Sequence, residues 1–279
     1  MQIGLDFKMM KAVAIMFVAA LSSVAHPQSR AGGMLTRADA DDLAIYSMMA
    51  SNAYANDHEK LYFPLEMLGW RKVDEQGEIV PRDQNSYQPK TLVGRLVSNL
   101  QFDIWEDSNS NKTIFAFKGT QERVDWVNGN LMLGISIPYK SAKKHVRDYI
   151  CDHPDRKVSV TGHSLGGGLA LSVSFWEGVD AVVFNTSPRI FDGLEDNKKR
   201  ANRIAVFQDG DILQKIRKWY PKFLEKVDPE QVIETRFEYS FNDSHRSDLI
   251  AQGLLSCSTD SALQRLAKEL KLSVSCYLK

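Results

Sequence analysis

Hydrophobic and polar positions along the chain repeat with two different periods, and the order in which those periods occur predicts the architecture. In residues 39–54 the apolar positions Leu43, Tyr46, Ala50 and Ala53 or Tyr54 recur at helical spacing, and Asp41 and Asp42 suit a helix N-terminus. Residues 59–93 mix Pro64, Pro81 and Pro89 with polar residues and read as irregular connections. Residues 100–105 and 113–117 are apolar and β-prone, and the turn-rich residues 107–111 between them predict a hairpin. Strand and helix then alternate: a helix over 141–151, a strand over 157–161, a helix of small residues over 165–176 and a buried strand over 180–184. A strand over 203–207, a helical stretch near 212–219, an alternating strand over 232–239 and helices near 245–255 and 261–270 complete the series. Such alternation predicts an α/β fold, a mostly parallel central sheet flanked by helices on both faces.

The first residues break this pattern. Lys8 and Lys11 precede an apolar run over 12–20 that continues to Ala25 and meets the polar stretch beginning at His26. The run falls short of the roughly 20 residues that span a bilayer, and Ser23, Val24 and Ala25 offer the small residues a signal peptidase cuts after. We therefore expect a signal peptide over 1–25, a single α/β domain over 26–279 with no transmembrane segment, and a secreted or periplasmic protein. In an oxidising compartment, three cysteines allow one internal disulfide. Cys257 and Cys276 share the C-terminal segment and are the expected pair, whereas Cys151 lies amid the apolar positions of its helix and is expected to be a buried thiol.

Composition narrows the function. With 43% hydrophobic and 25% charged residues, the chain resembles ordinary globular proteins, which excludes disordered and collagen-like classes. Lys plus Arg (35) equals Asp plus Glu (35), so no overall field recruits nucleic acid. Neither the cysteines nor the six histidines fall at metal-ligand spacing, so no metal and no cofactor is expected.

The chemistry concentrates at Gly162-His163-Ser164-Leu165-Gly166, a Gly-x-Ser-x-Gly sequence set between an expected strand and an expected helix. In that context the glycines permit a strained turn, Ser164 projects its hydroxyl from the tip, and the helix N-terminus favours developing negative charge. A phosphate-binding glycine loop needs a Lys after the glycines or a Gly-x-Gly-x-x-Gly order, and neither is present. A serine hydroxyl requires a histidine to take its proton and a carboxylate to orient that histidine. His245 is the one histidine C-terminal to Ser164, in a polar connection after a strand. For the acid, Asp209 and Asp211 both lie just past the strand over 203–207, at the sheet edge where catalytic groups collect. Asp192 and Asp196, among Glu195, Lys198, Lys199 and Arg200, read as a solvated face.

These segments together resemble the class 3 lipase family, α/β-hydrolases of the fungal lipase type. The resemblance rests on Phe117-Lys118-Gly119-Thr120, Asp125-Trp126-Val127, the glycine-flanked Ser164 and its following Gly167, Phe184 to Ile190, and Gln208-Asp209-Gly210-Asp211-Ile212-Leu213. It covers roughly residues 36–255. Two departures stand out: one residue is inserted and a glycine lost between Phe184 and Pro188, and Gln214 replaces a proline. The resemblance selects Asp211 over Asp209 as the acid. It also implies that Thr120 and the Leu165 N–H form the oxyanion hole, that Lys118 supports the loop, and that residues 121–131, centred on Trp126, form a lid. The implied activity is carboxylic ester hydrolysis, on lipid esters, through a Ser164–His245–Asp211 triad. An acyltransferase with the same triad and an inactive α/β-hydrolase-like binding protein are the alternatives.

Overall fold

A computed structural model describes residues 35–54, 60–91, 99–119, 137–187, 199–208, 210–213, 232–237, 245–272, 276 and 278. The expected leader over 1–25 and the lid over 121–131 lie outside these residues, and of the helix near 212–219 they include 212 and 213.

Strands β1 (Trp70–Val73), β2 (Phe102–Asp107), β3 (Lys112–Phe117), β4 (Lys157–His163), β5 (Asp180–Phe184), β6 (Arg203–Gln208) and β7 (Ile233–Phe237) form one seven-stranded sheet whose spatial order follows chain order. Pairs β1–β2 and β2–β3 are antiparallel, and every pairing from β3 to β7 is parallel. Helices α1 (Arg37–Asn52), α2 (Ile137–Asp152), α3 (Leu165–Glu177), α4 (Ser247–Cys257) and α5 (Ser261–Glu269) cover the two faces.

The period of two along the strands assigns the faces. Ile114, Ala116, Val182, Phe184 and Val206 pack with α1, α4 and α5, while their neighbours Phe115, Phe117, Val183 and Phe207 pack with α2 and α3. Both faces are therefore dry, as a parallel sheet between helix layers requires. This is the α/β-hydrolase arrangement. Helix α1 opens on a reciprocal cap, in which the Thr36 hydroxyl accepts from Asp39 N–H and the Asp39 carboxylate accepts from Thr36 N–H at 2.8 Å.

Structure and sequence differ at two places. Residues 59–93 are not irregular throughout: β1 lies within them, and its Lys72 is buried because its ammonium donates to the carbonyls of Arg82 (3.0 Å) and Gln84 (2.8 Å). Cys151 is exposed rather than buried. The inward stripe of α2 is Tyr139, Ala142, Val146 and Tyr149, and a residue two places beyond Tyr149 turns about 200° away from it. Cys257 and Cys276 form the expected disulfide. It ties the C-terminal segment to the end of α4, and the Leu278 carbonyl beyond it accepts from the Arg37 guanidinium at 3.1 Å.

Candidate active site

Strand β4 ends at His163 and helix α3 begins at Leu165, so Ser164 alone makes the turn between them. Its backbone lies at φ 58°, ψ −126°, a conformation that costs a non-glycine residue about 1–3 kcal/mol. Contacts on three sides hold it there: Ser164 N–H donates to the Phe184 carbonyl (3.1 Å), and its own carbonyl accepts from Gly167 N–H (3.0 Å) and Ser187 N–H (2.9 Å). The flanking glycines are required by close approach. A Cβ on Gly162 would lie 2.4 Å from the Gly166 backbone, and one on Gly166 would lie 2.1 Å from the Phe117 carbonyl oxygen. Only bare backbone lets helix, elbow and β3 converge at this distance.

Beyond the C-terminal end of β6 the chain turns at Gly210, whose φ of 86° suits glycine, and delivers Asp211 to the interior. The Asp211 carboxylate is fully enclosed, accepting Leu213 N–H on Oδ1 at 2.8 Å and facing His245 Nδ1 with Oδ2 at 2.7 Å. The other ring nitrogen, His245 Nε2, lies 3.0 Å from Ser164 Oγ. The hydrogen-bond network places the imidazole proton on Nδ1, toward the carboxylate, and leaves Nε2 free to accept from the serine hydroxyl. Asp211 is inaccessible, whereas the His245 side chain is 31% exposed, so the imidazole reaches solvent while the carboxylate does not.

The structure thus brings Ser164, Asp211 and His245 together, although 81 residues separate the serine from the histidine. Leu165, expected in the oxyanion hole, is the first residue of α3, where a backbone N–H has no intrahelical acceptor. Thr120, its expected companion, and Asp209, the rival acid, lie outside the described residues. Gly119 leads toward Thr120, and a Cβ built on it would lie 3.3 Å from Ser164 Cβ, so this segment passes beside the serine. Lys118 turns away, donating to the Gln101 side chain at 2.9 Å.

Sequence reasoning assigned no role to two residues at the site. The buried His163 ring packs 4.8 Å, centre to centre, from that of His245, and its Nδ1 lies 3.3 Å from the Tyr54 hydroxyl. Burial pushes the His163 imidazole well below the usual histidine range, and His245 and Lys60 push the same way. The polar residue between Gly162 and Ser164 was a signal for His163. For Tyr54, at the end of a helix, the sequence carried none.

Comparison with known proteins adds the family. Among solved structures, the chain is similar to Lip2 lipase of Yarrowia lipolytica (14% identity, 68% of this chain and 78% of that one, TM-score 0.43). It is similar also to a triacylglycerol lipase of Penicillium expansum (15%, 77% and 84%, 0.44) and to a mono- and diacylglycerol lipase of Aspergillus oryzae (20%, 63% and 73%, 0.41). No curated protein matches. The family model of a Tle-like phospholipase domain, described as phospholipase-like, matches residues 45–227, a span that contains both Ser164 and Asp211. Since that match covers well over half of the 279 residues, the chain belongs to the Tle-like phospholipase family and is an ester-hydrolysing enzyme of the lipase kind.

Proposed function

We propose that the protein is a phospholipase that cleaves carboxylic esters through an acyl-enzyme on Ser164. The observation that carries this reading is the position of His245, 3.0 Å from Ser164 Oγ on one nitrogen and 2.7 Å from Asp211 on the other. In the first step His245 Nε2 takes the hydroxyl proton as Ser164 Oγ attacks the ester carbonyl carbon. Negative charge on the carbonyl oxygen is met by the Leu165 N–H at the start of α3 and by Thr120. The tetrahedral intermediate collapses, the C–O bond to the alcohol breaks, and the imidazolium returns its proton to the departing lysolipid oxygen. Water, activated by the same Nε2, then adds to the acyl carbon and releases a fatty acid, restoring Ser164. Buried Asp211 holds the Nδ1–H tautomer and offsets the imidazolium charge throughout. Phospholipid is the preferred substrate class because the matched family is phospholipase-like.

Export is part of this proposal. The Cys257–Cys276 bridge suits an oxidising compartment, and among the described residues no helix is long and apolar enough to cross a membrane.

The test has two arms. A fluorophosphonate should label Ser164 and nothing in Ser164→Ala, and phosphatidylcholine vesicles should release fatty acid faster than a triacylglycerol emulsion. An unlabelled serine in folded protein would falsify the acyl-enzyme, and faster turnover of triacylglycerol would replace phospholipase by lipase.

A further inference from the structure

We propose that His163 is a positioning residue for the base, accepting a hydrogen bond from Tyr54 on Nδ1 and presenting Nε2–H to the His245 backbone, so that His245 is held against Ser164. The inference rests on the reading of His245 as the base and adds a second histidine to it.

The geometry begins with register. His163 is the last residue of β4 and sits opposite Phe184 of β5, so its side chain points to the face covered by α1 and α4. From that face come both of its neighbours: Tyr54, two residues beyond α1, and His245, two residues before α4. The Tyr54 hydroxyl lies 3.3 Å from His163 Nδ1, and the Lys60 ammonium lies 3.5 Å from the centre of the Tyr54 ring. A cation on the ring face draws electron density from the phenol and makes its O–H a better donor, which favours Tyr54 giving and Nδ1 accepting. The one proton of a neutral imidazole is then on Nε2.

Nε2 is fully buried and forms no complete hydrogen bond among the described residues. A buried polar atom left in this condition costs about 1–3 kcal/mol and calls for a partner. The group that faces the His163 ring and favours a proton on it is the backbone of His245. Catalytic hydrogen bonds are often long in an empty site and tighten when substrate binds, so this contact closes as His245 moves onto the serine proton.

His163 must also stay neutral for the site to work. Its ring centre is 4.8 Å from that of His245, which becomes an imidazolium after taking the serine proton. Two cationic rings at that separation would repel, whereas a neutral ring accepts the charge beside it. Burial opposes its protonation most, the His245 side chain on the α4 side and Lys60 on the α1 side push the same way, the His245 backbone pushes against them, and the Tyr54 hydroxyl is the neutral group facing Nδ1. The proton therefore travels from Ser164 to His245 and onward to the leaving group without resting on His163.

The experiment uses the full chain, phosphatidylcholine vesicles and a fluorophosphonate, with His163→Gln, His163→Phe, Tyr54→Phe and the Tyr54→Phe/His163→Phe double variant. Glutamine keeps an acceptor and a donor at the two edges, and phenylalanine keeps the bulk alone. His163→Phe should lose roughly 10- to 100-fold in kcat and in labelling rate, with KM within about 2-fold, because a misplaced base slows chemistry rather than binding. His163→Gln should recover most of that loss. Tyr54→Phe should be impaired several-fold, and the double variant should be no slower than His163→Phe, since both changes break one chain of contacts. Wild-type kcat in His163→Phe, equal impairment in His163→Gln, or additive losses would overturn the proposal. If His163→Phe fails to fold, Tyr54→Phe, which removes a single oxygen, decides alone, and an unchanged kcat overturns it. Failure of the wild-type protein to label is a different result, since it overturns the acyl-enzyme itself.

Discussion

The two ends of strand β6 each bury a charge, and they treat it differently. At the N-terminal end Arg203 is 2% exposed, and its guanidinium donates to the Ser174 hydroxyl (2.8 Å) and to the carbonyls of Ser174 (3.0 Å) and Lys199 (2.6 Å), with the Phe175 ring 4.0 Å from its centre. These carbonyls belong to the C-terminal turn of α3 and the chain entering β6, so the cation closes a helix end that carries partial negative charge. Asp211, past the C-terminal end, is equally enclosed, yet its main partner is His245, whose side chain reaches solvent and whose second nitrogen faces Ser164. One charge is surrounded by fixed backbone and can only stabilise the fold. The other is coupled to a proton acceptor and can assist a reaction. Burial and charge do not by themselves distinguish structure from catalysis; what the partner is free to do distinguishes them.

Substitutions at the catalytic end should have the largest effect. Ser164→Ala and His245→Ala should each lower kcat by about four to six orders of magnitude, and the double variant should lose little more, because the groups act as a unit. Asp211→Asn should cost roughly three to four orders through the wrong tautomer. Ester hydrolysis with an unchanged melting temperature checks all three, and a harmless Asp211→Asn beside a damaging Asp209→Asn would move the acid to Asp209. At the other end the effect should pass to stability. Arg203→Met leaves buried carbonyls unpaired and should lower the unfolding free energy in urea by about 2–4 kcal/mol. Because roughly 17 Å of strand separates the two ends, kcat per folded molecule should stay at the wild-type value. A fall in kcat matching the loss of stability would show that the ends are coupled after all.

The smallest effect lies in pH. Below its unfolded value of 6.5, His163 binds a proton in the unfolded chain that the folded protein refuses, because burial and its neighbours depress its pKa. The unfolded state then holds more protons, so stability falls as pH drops below about 6.5, by at most about 1.4 kcal/mol per pH unit. His163→Gln should flatten the curve between pH 6.5 and 5 in denaturant titrations. A slope identical to wild type would assign the acid sensitivity to other groups.

The central part of this fold was legible because its strands are buried on both faces and therefore apolar almost throughout, as the run Asp180–Phe184 shows. Strand β1 was not, since Arg71 and Lys72 interrupt any alternation and tertiary partners, the carbonyls of Arg82 and Gln84 and the buried Asp103 carboxylate, make Lys72 an interior residue. Cys151 misled for a related reason. An apolar stripe on a helix spans about 100°, and proximity in sequence to Tyr149 does not place a residue within it. At the site, the local turn chemistry pointed to Ser164 and the order of the chain to His245, and the fold brings those two side chains to 3.0 Å. Tyr54 left no such mark, because its contact with His163 is tertiary and lies just past a helix end.

The chain-order sheet also sets when this protein acquires its chemistry during synthesis. Each strand pairs with the one made just before it, so the half of the sheet bearing Ser164 has its neighbours early, while Asp211 follows β6 and His245 follows β7. A ribosome adding about 5–20 residues per second takes roughly 4–16 s to cover the 81 residues from Ser164 to His245. Throughout that interval the nascent chain carries Ser164 without His245, so the triad proposed for ester hydrolysis is incomplete until the last third of the chain is made.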